Sequence, residues 1–237
     1  MNIIIVGATS GIGRALFEKY AEGNNRIGII GRRKYLLEEL REQHPDKTIA
    51  IAADITKPNE INEAIKILQS EMAVFDLAIV CAGTGDINAS LDYDIERTTM
   101  DTNVVGWTFV IDNIYHIFER QDHGHLVAIT SIGGLRGEPM APAYNASKAY
   151  QINYMEALRK KTFKSGGHII VTDIRPGLVD TAMAKGEGLF WVMPVEKVAS
   201  QIISAIRKKK SKAYVTKRWH LLAIINKNLP FYMFKRM

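Results

Sequence analysis

The sequence predicts an α/β fold: one doubly wound parallel sheet flanked by helices on both faces, in a single domain. Three observations lead there. The chain opens on the apolar run Asn2-Ile-Ile-Ile-Val6, which passes through a glycine-rich turn into a stretch with helical apolar spacing at Ile12, Leu16 and Tyr20. Apolar runs and amphipathic stretches then alternate with little interruption, without linker, internal repeat or low-complexity segment, which is the pattern of successive strand–helix units. Finally, 237 residues suit one core of this kind.

Strands are expected at 2–6, 26–30, 48–53, 76–80, 125–130, 168–174 and 213–216, where short apolar runs suit strands buried on both faces. Helices are expected at 11–22, 34–43, 58–72, 97–119, 143–162 and 195–209. The first turn, Gly7-Ala-Thr9-Ser10-Gly11-Ile12-Gly13, opens a helix N-terminus, whose unpaired N–H groups and positive dipole end attract a pyrophosphate while glycine allows close approach. Its G-x-x-x-G-x-G spacing differs from the G-x-G-x-x-G fingerprint, and a bare glycine pattern also fits a plain tight turn.

In an open parallel sheet the ligand lies at the carboxyl ends of the strands, so the residues there form the candidate site. After the second strand come Gly31-Arg32-Arg33, two cations and no carboxylate where an acidic residue would bond a ribose 2′-hydroxyl. They favour a 2′-phosphate, hence NADP(H) over NAD(H), although Arg32 and Arg33 would also simply begin a solvated helix. After the third strand, Asp54 and Ile55 can meet an adenine edge; after the fourth, Cys81-Ala82-Gly83 is small enough to pass a flat ring. After the fifth, Ser131 offers a hydroxyl to a substrate carbonyl, and after the sixth Pro176-Gly177 turns the chain through Val179 toward Thr181.

Tyr144 and Lys148 stand one helical turn apart and share a face. A free phenol titrates near ~10, and a fixed positive charge nearby favours phenolate, so Lys148 is expected to lower the Tyr144 pKa and make it a usable acid–base group. Alone, a Tyr and a Lys four apart also decorate many solvated helix faces.

The ordered set of the Gly7–Gly13 turn, Asp54, Cys81-Ala82-Gly83, Asn103 in Thr-Asn-Val-Val-Gly, Ser131, Tyr144 to Lys148, and Pro176-Gly177 with Thr181 resembles the short-chain dehydrogenase/reductase family over nearly the whole chain. The resemblance implies a Rossmann fold and a catalytic set of Asn103, Ser131, Tyr144 and Lys148. It implies hydride transfer from NADPH to a carbonyl with Tyr144 as proton donor, Ser131 bonding the carbonyl oxygen and Lys148 bonding the nicotinamide ribose. It further implies that Asn103 interrupts its helix and holds a water linking Lys148 to solvent. One departure is Cys81 where family members more often carry Asn, a loss expected to affect stability more than chemistry. The other class of reading is a nucleotide-sensing protein with little turnover, which an incomplete set would have favoured.

Cys81 is the sole cysteine, so no intrachain disulfide forms and a reducing, cytoplasmic setting is expected. No signal peptide and no run of ~18 apolar residues is seen. His123 and His125 precede a strand in a polar turn without a third ligand beside them, so no metal is expected. The net charge of +6 belongs to the end of the chain: from Arg207 onward there are ten Lys or Arg and no acid, leaving 21 bases against 25 acids elsewhere. Nucleic-acid binding is therefore not expected.

Residues 1–216 are expected to form the NADP-binding domain and 217–237 a basic, apolar extension. There Trp219, Leu221, Leu222, Ile224, Ile225, Leu229 and Phe231 to Phe234 interleave with Lys217, Arg218, Lys227, Lys235 and Arg236. This composition suits an anionic membrane surface, an oligomer interface (a homodimer or homotetramer) or a cover over the cleft. Between Met183 and Met193, Leu189-Phe190-Trp191-Val192 suits a lid whose apolar content points to a hydrophobic substrate such as an acyl chain, a steroid-like ring system or a lipid-derived ketone.

Overall fold

A computed structural model of the chain describes residues 1–184 and 190–235. Leu189 of the expected lid and Arg236 of the tail lie outside the described residues. The elements run β1 (Asn2–Val6), α1 (Gly11–Ala21), β2 (Arg26–Gly31), α2 (Lys34–Gln43), β3 (Thr48–Ala52), α3 (Pro58–Met72), β4 (Leu77–Val80), α4 (Tyr93–Met100) and α5 (Trp107–Gln121). They continue with β5 (Gly124–Ile129), α6 (Pro142–Lys164), β6 (Ile169–Pro176), α7 (Val195–Arg207), β7 (Lys212–Val215), α8 (Lys217–Asn228) and α9 (Phe231–Phe234).

The strands form one sheet in the order β3-β2-β1-β4-β5-β6-β7, with every neighbouring pair parallel. Strand alternation divides the core between the two faces. Ile4 and Val6 of β1 point to the layer holding Leu68, Trp107, Phe118 and Met155, whereas Ile3 and Ile5 point to Leu16, Phe17 and Ile202. Both faces are covered by helices, which explains why β1 and β4 read as continuous apolar runs rather than alternating ones. Because β1 lies between β2 and β4, the connections leave in opposite directions on either side of it, and the carboxyl end of β1 is the switch point where a crevice opens.

The expected helix over 97–119 proves to be three pieces. Helix α4 begins earlier, at an Asp92 cap that accepts from the Asp94 N–H, then a π-helical turn spans Asp101–Gly106 and α5 follows. Helix α4 buries only Thr99 and the π-turn only Asn103 and Gly106, so the apolar periodicity that suggests one helix comes from α5. π-Turns of this kind often re-aim a side chain at a functional site. Here Gly106 lets the turn press on the Ile55 main chain, where any Cβ would collide with the Ile55 carbonyl. The extension, for which no elements were expected, forms α8 and α9.

His125, on β5, is buried and its Nε2–H donates to the Thr172 hydroxyl at 2.8 Å, because that hydroxyl's own hydrogen goes to the Lys210 carbonyl. Burial, helped by the Lys209 charge, lowers the His125 pKa from 6.5 to about 4. A base with a depressed folded-state pKa binds fewer protons folded than unfolded, so stability falls as pH drops from 6.5 toward about 4. The loss is about 3 kcal/mol when complete. Urea unfolding of the protein and of His125→Gln across that interval is expected to show a shallower decline in the variant; parallel declines would assign the acid sensitivity elsewhere.

Candidate active site

The turn between β1 and α1 is shaped by what surrounds it. Gly7 has φ +89° and lies so close to β4 that an added Cβ would stand 2.6 Å from the Ala82 nitrogen. Gly11 also has positive φ, at +52°, and an added Cβ there would meet the Thr181 methyl at 3.0 Å. Thr181 thus closes the far side of the turn, carried there by the chain leaving β6 through Pro176, Gly177 and Val179. Val179 is held by a parallel bridge to Met193. Ser10 precedes α1 in extended conformation without capping it, and Ile12 and Gly13 begin the helix.

Arg33 folds back over this turn. Its guanidinium donates to Thr9 Oγ1 (Nη2 at 2.6 Å, Nε at 3.1 Å) and to Ser10 Oγ at 2.7 Å. Arg32 extends outward with its side chain 68% exposed, and its Nη1 lies 4.0 Å from Asp54 Oδ2. The other Asp54 oxygen accepts from the Thr56 N–H and hydroxyl, both at 2.9 Å, and fixes the chain after β3. Arg33, two hydroxyls and the N-terminus of α1 meet here, with Arg32 reaching into solvent nearby, a donor set matched to phosphate.

The second half of the site lies across the ends of β4 and β5. Asn103, fully buried in the π-turn, is tied to the loop that follows β4: Oδ1 accepts from the Thr84 N–H at 2.8 Å and Nδ2 donates to the Thr84 carbonyl at 2.7 Å and to Ser147 Oγ at 3.0 Å. Gly83 lies between Asn103 and Lys148; an added Cβ would sit 3.4 Å from Lys148 Nζ. Ser131 follows β5 and caps a short 3₁₀ turn, its Oγ accepting from the Gly133 N–H at 3.0 Å and its hydroxyl hydrogen-bonded to the Tyr144 phenol. Tyr144 and Lys148 project from the first two turns of α6, and Gly85 grips the phenol ring so closely that a Cβ there would overlap it.

Two electrostatic facts define this half. The Lys148 ammonium is 5% exposed, donates to Gln151 Oε1 at 2.9 Å and the Ile129 carbonyl at 3.3 Å, and lies 5.8 Å from the Tyr144 ring centre. Burial lowers its pKa to about 8, with Cys81 and Asp173 acting in the opposite sense. The Cys81 thiol is pushed up to about 12 by burial and remains neutral beside it. The expected acidification of Tyr144 by Lys148 is not what the structure holds: burial raises the phenol pKa, with only the Ser131 hydroxyl acting downward. The reason is that burial removes much of the water around the phenol, while the ammonium turns to Gln151 and the β5 carbonyl instead of the phenol oxygen.

Lys148 is joined to the Asn103 main chain through a further side chain. Gln151, fully buried, accepts from Lys148 and donates from Nε2 to the Asn103 carbonyl at 2.8 Å. Sequence reading passed over Gln151, although its position three after Lys148 on one helix face was the available signal. Arg175 was expected only as the start of the turn after the sixth strand, and Asp173 carried no signal. Buried Asp173 accepts from Thr130 Oγ1 at 2.6 Å and Arg175 Nε at 2.7 Å, tying β5 to β6 directly beneath Ser131. The wall beyond Gly177 is Trp219 of α8, with Phe190 and Trp191 packed on its ring at centre distances of 5.5 and 6.3 Å.

A phosphate-directed turn at the switch point of a parallel sheet, facing a half-buried Ser and Tyr and a buried Lys across the crevice, defines a nicotinamide dinucleotide-dependent oxidoreductase. The sequence profile of the family described as "short chain dehydrogenase" matches residues 1–189, and the chain belongs to that family. It is 31% identical over 183 residues to an uncharacterised oxidoreductase of Staphylococcus aureus strain MW2, covering 76% of this chain and 78% of the relative. Among solved structures, a short chain dehydrogenase from Burkholderia cenocepacia J2315 in complex with NADP superposes with TM-score 0.85 at 19% identity, covering 99% of this chain and 96% of that one. A short chain dehydrogenase/reductase from Burkholderia phymatum in complex with NAD also gives TM-score 0.85, at 18% identity and 95% and 92% coverage. At such identities the superpositions establish the fold. Among the described residues no helix is long and apolar enough to cross a membrane.

Proposed function

We propose that this protein reduces a carbonyl group on a hydrophobic small molecule with NADPH, using Tyr144 as proton donor, and that it oxidises the corresponding alcohol in reverse. The observation that carries the reading is the convergence of Ser131, Tyr144 and Lys148 at the carboxyl end of β5, with Asn103 holding the loop after β4 beside them. A bound dihydronicotinamide would supply the hydride. Residues 1–216 form the dinucleotide-binding unit, and 217–237 the extension beside the cleft.

Each side chain has a derived task. The raised Tyr144 pKa keeps the phenol protonated at neutral pH, the state a donor needs in the reductive direction. Ser131, accepting from Gly133 and hydrogen-bonded to the Tyr144 phenol, can turn its hydrogen to a substrate oxygen, and the two hydroxyls together stabilise the charge that develops there. Lys148 commits two of its three N–H donors to Gln151 and Ile129, which leaves one for the ribose hydroxyls. The apolar trio Phe190, Trp191 and Trp219 beside the crevice supports a hydrophobic substrate.

The preference for NADP(H) is supported by Arg32 and Arg33 at the end of β2. Arg32→Ala provides the cleaner test, since Arg33 also braces Thr9 and Ser10. Loss of one charge-assisted contact to a 2′-phosphate is worth ~1.5–3 kcal/mol, so NADPH affinity is expected to fall roughly 10- to 100-fold while NADH affinity holds. Fluorescence titration measures both; equal changes for the two nucleotides reject the preference. Nucleotide oxidation against a panel of ketones, aldehydes and 3-oxoacyl thioesters identifies the substrate class. No turnover with any carbonyl class, despite nucleotide binding, overturns the reductase reading. The chain is further proposed to work as a homodimer or homotetramer in the cytoplasm.

A further inference from the structure

We propose that helices α8 and α9 form a docking surface for an anionic lipid bilayer and hold the cleft mouth toward it. Helix α8 divides into two faces. Trp219 and Ala223 are buried against the body of the protein, whereas Leu221, Ile224 and Ile225 form a stripe on the opposite side, 64, 48 and 51% exposed. Across the short connection Phe231 and Tyr232 prolong it, 71 and 64% exposed. A run of large apolar side chains on one edge of the molecule marks an interaction site rather than ordinary surface scatter.

Charge selects the occupant. No Asp or Glu occurs after Glu196, and ten Lys or Arg lie between Arg207 and the end of the chain. Exposed apolar and aromatic groups among bases, with no acid, complement anionic headgroups above an apolar phase. A second copy of this chain is the poorer occupant, because a twofold interface sets a patch against itself and would bring these like charges together.

The surface is fixed relative to the site. Arg136, in the loop following Ser131, donates from Nη1 to the Leu229 carbonyl at 3.1 Å, and its guanidinium stacks 4.4 Å from the Phe234 ring centre. Trp219, on the inner face of the same helix, abuts Gly177 and packs on Phe190 and Trp191. A bilayer touching the outer stripe therefore lies beside the crevice, and an apolar substrate can pass from the lipid phase without crossing bulk water. That last consequence rests on the proposed hydrophobic substrate; the docking itself does not.

The test is flotation of the full chain with phosphatidylcholine vesicles, with and without phosphatidylglycerol. Binding on the order of tenfold or more greater with the anionic lipid is expected, weakening as salt rises. The double variant Ile224→Glu, Ile225→Glu is expected to stay in solution, with unchanged circular dichroism and nucleotide affinity because both side chains face outward. These point changes are preferred to truncation after Thr216, which would strip Trp219 from Gly177. Equal flotation on both vesicle types, or undiminished flotation of the double variant, overturns the proposal. So does sedimentation showing that the double variant dissociates an oligomer, which would assign the face to a second copy. Flotation needs neither nucleotide nor turnover, so its failure and failure of the reductase reading are separable.

Discussion

Tyr144→Phe is expected to lower turnover by about 10²–10⁴-fold, the usual contribution of a positioned acid–base group, with nucleotide affinity nearly unchanged. The ring is held between Gly85 and the end of β5, and phenylalanine keeps that packing. Only the hydroxyl is lost, and with it the proton that must reach the substrate oxygen as hydride arrives. Because the effect belongs to the transition state, kcat should fall with KM little altered. Steady-state kinetics and nucleotide titration of the two proteins decide the matter. Turnover within a fewfold of the parent would remove Tyr144 as the acid.

Lys148→Met separates function from stability. The ammonium is nearly fully buried, and its pKa is lowered from 10.5 to about 8. A cation with a depressed folded-state pKa costs stability below that value, and the cost disappears as pH rises through the unfolded value. At neutral pH the depression corresponds to about 3 kcal/mol against the fold, partly offset in the variant by ~1–3 kcal/mol for the orphaned Gln151 oxygen. Turnover is expected to fall by at least about 10²-fold while the thermal midpoint holds or rises, the trade common to functional groups kept in unfavourable surroundings. In the unsubstituted protein the same pKa predicts that kcat/KM declines above about pH 8 as the ammonium deprotonates. A midpoint several degrees lower with activity intact would recast Lys148 as a structural residue.

The legible parts of this protein are those coded by neighbours in the chain. The Gly7–Gly13 turn, the strands and the Tyr144–Lys148 pair were visible because glycine conformational freedom, apolar runs and the helical repeat all act within a few residues. Helix 58–72 was placed at its observed bounds, and the strands to within a residue or two at each end. The break at Asp101–Gly106 was implied only by the family resemblance at Asn103, because the wider turn is fixed by contacts of Asn103 and Gly106 with segments distant in the chain and not by local periodicity. The two tail helices were missed as elements because their apolar residues surround the axis: one side meets Gly177 and the β5 loop, and the other meets solvent.

What the sequence determined by itself was the kind of sheet, its crevice, and the identity of the groups along its edge, since these follow from local periodicity and from residue types at strand ends. Tertiary structure alone decided their electrostatic state and their partners. Arg33 reaches back 24 and 23 residues to Thr9 and Ser10, and Gln151 meets an Asn103 carbonyl 48 residues away. Tyr144 is made a weaker acid by burial under segments far along the chain. A pKa depends on how completely water is removed around a group, and only the assembled fold fixes that.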